Sequence, residues 1–191
     1  MNIKKLTLVG ALTVASTAFS APIYYVTGLS GANENPANAS PGTGFAEVVM
    51  DTAAHTMLVH VEFTGLTAPN TAAHIHCCVA PPGNVGVATT TPTFTGFPGG
   101  TTSGSYTRTF DTTLTSSFSA AFVTANGGTA AGAEARLATG LAAGQAYFNI
   151  HSSNFPGGEI RGFLQAAPEP TTLALVGGAL AGLILMKRRT I

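Results

Sequence analysis

The stretch Gly44-Phe-Ala-Glu-Val-Val-Met-Asp51-Thr-Ala-Ala-His55-Thr-Met57-Leu-Val-His-Val-Glu-Phe-Thr64 decides the fold. Met57, Val59, Val61 and Phe63 alternate with Leu58, His60, Glu62 and Thr64, the period of two that a half-buried strand requires. Gly44 to Asp51 reads as another strand, and the short link Asp51 to His55 folds the two into an antiparallel hairpin. Outward from this hairpin the same reading recurs. Ile23 to Leu29, Ala72 to Cys78, Thr89 to Phe94 and Ser103 to Asp111 are expected strands, and Gln145 to His151 and Glu159 to Leu164 form a last hairpin around Asn154-Phe-Pro-Gly-Gly158. Only Ser116 to Ala125 and Ala130 to Leu141 break the pattern, with a serine start, a Gly127-Gly128 stop and an alanine-rich run that predict helices. The expected fold is mainly β: a single antiparallel β-sandwich or barrel-like domain with a short helical insertion.

Composition points to an exported chain. Of 191 residues only 8% are charged, against about a quarter in ordinary soluble domains, and eight basic residues balance eight acidic ones. The neutrality is a sum over unlike parts. Between Ala21 and Ala167 three arginines face seven carboxylates and no lysine occurs, so a nucleic-acid partner, which needs a basic stripe, is excluded. The remaining basic residues sit at the ends. Lys4-Lys5, the uncharged run Leu6 to Phe19 and the small residues Ala18 and Ser20 make residues 1–20 a signal peptide, with the mature chain starting at Ala21. At the other end Pro168-Glu169-Pro170 precedes an apolar run from Leu173 to Met186, closed by Lys187-Arg188-Arg189. That run is expected to form a C-terminal hydrophobic helix short of the ~20 residues that span a bilayer comfortably, with its basic end expected on the cytoplasmic side.

Chemistry concentrates in Ala72-Ala-His74-Ile-His76-Cys77-Cys78. On a strand His74 and His76 share a face, and neutral imidazoles at that spacing can grip one copper or zinc ion. A third histidine, His151, stands on the polar face of Tyr147-Phe-Asn-Ile-His151, opposite Phe148 and Ile150. All three can meet only if their strands are neighbours, and would then form a three-histidine site with an open fourth position. The alternative is that they hydrogen-bond loop backbone and fix turns. His55, in a hairpin link, and His60, opposite the apolar set, are expected in solvent. Glu159 could cross the last hairpin to orient His151, or instead pair with Arg161 or the backbone.

Cys77 and Cys78 are the only cysteines. In an oxidising compartment they have three options: a vicinal disulfide, an intermolecular bridge, or thiolate ligation beside the histidines. No Gly-x-Ser-x-Gly elbow, P-loop or dinucleotide fingerprint occurs, and no catalytic residue is assigned.

Two resemblances add to this reading. Pro168-Glu169-Pro170, the short apolar run and Lys187-Arg188-Arg189 resemble a PEP-CTERM sorting signal over residues 168–191. That likeness implies an exosortase as processing partner in a Gram-negative bacterium, transient residence in the inner membrane and cleavage near Pro168. It also implies delivery to the envelope or beyond, among exopolysaccharide or surface proteins; a plain membrane anchor is the alternative. Leu29-Ser-Gly-Ala-Asn-Glu-Asn-Pro36, Ser40-Pro-Gly-Thr-Gly44, Ala72-Ala-His-Ile-His76, Asn149-Ile-His151 and Phe155-Pro-Gly-Gly-Glu-Ile-Arg-Gly-Phe-Leu164 resemble the CHRD (chordin-like) domain over residues 21–167. This resemblance implies an extracellular β module and brings no activity. The expected role is a non-catalytic binding or structural module at the cell surface or matrix. The alternative is a metal-binding β protein, redox-active if the ion is copper, built on His74, His76 and His151.

Overall fold

A computed structural model describes residues 21–167; the expected signal peptide at 1–20 and the expected C-terminal hydrophobic helix within 168–191 lie outside the described residues. Eight strands form one antiparallel sheet: β1 Ile23–Ser30, β2 Thr43–Asp51, β3 Thr56–Thr64, β4 Asn70–Cys77, β5 Gly104–Asp111, β6 Ala146–Ser152, β7 Ile160–Phe163 and β8 Gln165–Ala166. Their order is β4-β6-β7-β1-β2-β3-β5, with β8 also paired to β1. The sheet curls into a half-barrel, so the barrel-like alternative is the one realised.

Alternation explains the curl's contents. Val48 on β2 pairs with Val59 on β3, and both are fully buried on the inner face, while Glu47 and His60 pair on the outer one. The inner face continues through Ile75, Phe148, Ile150 and Ile160 and closes over Phe94. Helix α1 (Ala120–Ala125) starts at Ser119, whose side chain accepts from the Phe122 amide; α2 (Ala130–Ala142) starts in the same way at Thr129. Leu137 and Leu141 of α2 are buried in the same core. Its Glu134 ties back to the β2–β3 link through His55 Nδ1, 2.8 Å away, so His55 is exposed yet partnered. His60, half-buried, shares a hydrogen bond with Thr107.

One expected strand does not form. Thr89 to Phe94 makes only an isolated bridge, and Pro92 removes a donor in its middle. The segment instead runs along the free edge of β4 and satisfies it partly with hydroxyls. Thr89 Oγ1 accepts from the Ile75 amide at 2.9 Å and Thr93 Oγ1 from the Ala73 amide at 3.0 Å, while the Ala88 and Phe94 amides donate to the Ile75 and Ala73 carbonyls. The outer edge of β4 is thereby covered without a ladder. The first expected helix is also shorter than its pattern: Thr115–Ser117 is a single 3-10 turn and α1 begins only at Ala120.

Candidate metal centre

Strands β4 and β6 are direct neighbours, and their antiparallel register sets Ala72 opposite His151, His74 opposite Asn149 and His76 opposite Tyr147. Ala73, Ile75, Phe148 and Ile150 turn into the core, which leaves the three histidines on the other face. His74 and His151 are then diagonal neighbours, close enough for ring contact. Their ring centroids are 4.7 Å apart, as are those of His74 and His76, and one nitrogen from each ring lies within 4.8 Å of the others.

The backbone decides which nitrogen is offered. His74 Nδ1 meets the Pro92 carbonyl at 3.1 Å, His76 Nδ1 the Val85 carbonyl at 2.7 Å and His151 Nδ1 the Pro156 carbonyl at 2.9 Å. A carbonyl can only accept, so each Nδ1 carries the proton and each Nε2 presents a bare lone pair. Turn fixing and convergence therefore coexist in the same rings. His74 Nε2 and His151 Nε2 face each other at 2.9 Å, and the buried His76 Nε2 has no hydrogen-bond partner. Two lone pairs at that distance repel unless a cation lies between them. A proton is disfavoured: burial, then the neighbouring His76 and His151, lowers His74 to about 3. Burial likewise lowers His76 to about 4, and pushes His151 down as well. Neutral imidazoles with oriented Nε2 atoms are the form that binds Zn²⁺ or copper; bonds of ~2.0–2.1 Å keep two ligand nitrogens within ~4.2 Å, so a pair at the 4.8 Å limit has to close up around an ion.

A buried polar layer continues beside the histidines on the same face. Tyr147 stacks on His76 with centroids 4.6 Å apart and planes 8° from parallel, and the Arg161 guanidinium lies 4.8 Å from the Tyr147 ring on β7's side. Arg161 is 1% exposed. Glu34 lies 3.7 Å from its Nε, yet burial outweighs that attraction and pushes the Glu34 carboxyl up to about 7.

Of the alternatives open to Glu159, the contact with His151 is not the one formed. Glu159 Oε1 accepts from Ser40 Oγ at 2.7 Å and from the Thr67 amide at 2.6 Å, while the carbonyl of Pro156 orients His151. The loop donors sit nearer, so Glu159 takes the backbone alternative; burial raises its carboxyl, and hydroxyl and amide donors outweigh that to lower it. Cys77 and Cys78 are bonded to each other, with Cys77 on the core side of β4, pointing away from the histidines. The carbonyls of Pro92, Val85 and Pro156, and Arg161 with Glu34, were absent from the sequence-based set. The available signals were a proline or glycine turn that could fold back on each histidine, and a lone arginine inside an apolar strand.

A model of the CHRD domain matches residues 25–164, and a model of the PEP-CTERM protein-sorting motif matches residues 166–189. Neither the curated proteins nor the solved structures include a significant match to this chain. The sorting motif is of the kind an exosortase recognises and directs the chain to export towards the cell envelope or surface. Among the described residues no helix is long and apolar enough to cross a membrane. With its fold accounted for from Tyr25 to Leu164, the chain belongs to the CHRD domain family and carries a PEP-CTERM sorting motif at its end.

Proposed function

We propose that this protein is an exported, non-catalytic CHRD module that holds one copper or zinc ion on His74, His76 and His151. The observation that carries the reading is the set of three Nδ1–carbonyl hydrogen bonds, which turns three bare Nε2 atoms towards one another. Three imidazoles leave a fourth position open, and because His151 is the least buried of the three, that position lies on its side. With copper bound, the open position would make the site redox-active; with zinc it would serve structure or capture. Residues 1–20 act as the cleaved signal, and residues 168–191 hold the chain in the inner membrane until an exosortase cuts near Pro168. The mature domain then interacts with exopolysaccharide or surface proteins.

The test is metal content. Purified protein is stripped, loaded with Cu²⁺ or Zn²⁺, dialysed and analysed for bound metal. About one equivalent is expected, lost in both His74→Ala and His151→Ala, as for a site closed by three ligands. Less than ~0.1 equivalent in the folded wild type contradicts the reading.

A further inference from the structure

We propose that Arg161 is a positioning residue of the metal centre, acting on His76 from across the sheet through a loop and a stacked ring. The inference rests on the reading of the three histidines as a metal centre.

His76, like the other two rings, is oriented by a loop carbonyl, and its loop is the one Arg161 reaches. The segment between Cys77 and Val87 returns over the outer face of the sheet so that Val85 can present its carbonyl to His76 Nδ1. Arg161 holds that return. Its Nη1 donates to Asn84 Oδ1 at 2.6 Å and its Nη2 to the Pro82 carbonyl at 2.9 Å, so two of the three residues preceding Val85 are tied to one guanidinium. Its Nε donates to the Asn33 carbonyl at 2.6 Å, joining the loop after β1 to the same group. Asn35 and Asn84 complete the tie: Asn35 Nδ2 donates to the Pro82 carbonyl at 2.9 Å and Asn84 Nδ2 to the Asn35 carbonyl at 2.7 Å.

A second route runs through Tyr147. Arg161 lies over one side of this ring, His76 stacks on it, and the Tyr147 hydroxyl reaches the Val85 amide and carbonyl at 3.4 Å. The guanidinium thus bears on both determinants of the His76 ring: the carbonyl that sets its tautomer and the aromatic plane that sets its tilt. Only a planar group with several donors spans Asn33, Pro82 and Asn84 together, and a lysine ammonium cannot reproduce that fork. The Asn33 and Pro82 carbonyls and Asn84 Oδ1 satisfy the guanidinium donors, which permits such a group at 1% exposure, with Glu34 3.7 Å from Nε. Residues that orient a metal-ligating histidine typically change affinity by about 10–100-fold when altered.

The experiment compares wild type, Arg161→Lys and Asn84→Ala, each carrying ¹⁵N-labelled histidine, in metal-free and Zn²⁺-loaded forms. Zn²⁺ affinity is measured by competition with a chelator, and the imidazole ¹⁵N signals report tautomer and ligation ring by ring. Arg161→Lys is expected to weaken Zn²⁺ binding by about 10–100-fold, with the His76 signals disturbed and those of His74 and His151 retained. Asn84→Ala, at an exposed position, should fold normally and give a smaller loss of the same kind. It serves as the test if the lysine variant fails to fold. Wild-type affinity and wild-type His76 signals in the folded variants overturn the proposal, as does an equal disturbance of all three histidines. If the wild type itself binds no Zn²⁺, the metal reading fails. The metal-free spectra then still judge Arg161, because a locked His76 Nδ1–H tautomer lost in the variants supports its positioning role and an unchanged one refutes it.

Discussion

His74, His76 and His151 lose basicity because their rings sit under loops, and that has a consequence for the metal-free protein. Their folded pKa values lie below the 6.5 of a free imidazole, at about 3 for His74 and about 4 for His76. The unfolded chain therefore takes up protons first as pH falls, and the stability these rings permit is complete above about 6.5 and drains away towards their folded values. The urea midpoint of the stripped protein should fall between pH 6.5 and 4, and a His74→Gln, His76→Gln, His151→Gln triple variant should lose most of that slope. A slope unchanged in the variant would show that other groups control acid stability. At this scale the sequence showed the ligand candidates plainly, since the spacing of His74 and His76 on a strand dictates a shared face. The carbonyls of Pro92, Val85 and Pro156 were not legible: a backbone oxygen has no residue signature, and its position depends on how a loop folds back. For the same reason the sequence leaves the partner of Glu159, two residues from Arg161 and just past a turn, open between His151, Arg161 and the backbone, and Ser40 and Thr67 are the donors it meets.

Strand β4 shows what an element owes to its neighbours. On one side it has the ladder to β6; on the other, hydroxyls of Thr89 and Thr93 replace main-chain partners. Thr89→Val keeps shape but leaves the buried Ile75 amide without its acceptor, which should cost about 1–3 kcal/mol in the urea midpoint and speed exchange of that amide. An unaltered midpoint would mean that the edge is held by the main-chain bonds alone. Helix α2 approaches the end of the same strand at Gly140, where an added Cβ would collide with Sγ of both Cys77 and Cys78. Gly140→Ala should therefore destabilise the fold by about 1–3 kcal/mol, as overpacking does, although alanine is the better helix former. A stabilised variant would show that α2 can shift freely off the strand. The β2–β3 hairpin and the last hairpin were readable because alternation and turn residues agree there. Thr89 to Phe94 misled because β-branched residues also suit an edge-covering loop, and only Pro92 hinted at the difference.

The whole chain divides by charge: basic residues cluster at the ends, and the domain between them holds three arginines against seven carboxylates. The CHRD domain model matches residues 25–164, in the lysine-free middle, and the sorting motif matches residues 166–189, at the basic end. Whether the fold closes as a sandwich or a barrel was not legible, because alternation states which face is buried and not which strands are neighbours. Strand order was likewise what the site needed, since β4 and β6 are separated in the chain by β5 and both helices. Deleting residues 171–191 should leave a chain that is exported and released, beginning at Ala21, whereas the full chain should be cut near Pro168 only where an exosortase is present. Fractionation with mass spectrometry of both termini checks this, and a full chain retained uncut in the inner membrane would contradict it. The central claim is more local and can be met directly by diffraction from crystals of the Cu²⁺- or Zn²⁺-loaded protein, recorded at the metal's absorption edge. One anomalous peak is expected, within about 2.0–2.2 Å of Nε2 of His74, His76 and His151. A peak elsewhere, or none between these rings in metal-loaded crystals, would contradict the account.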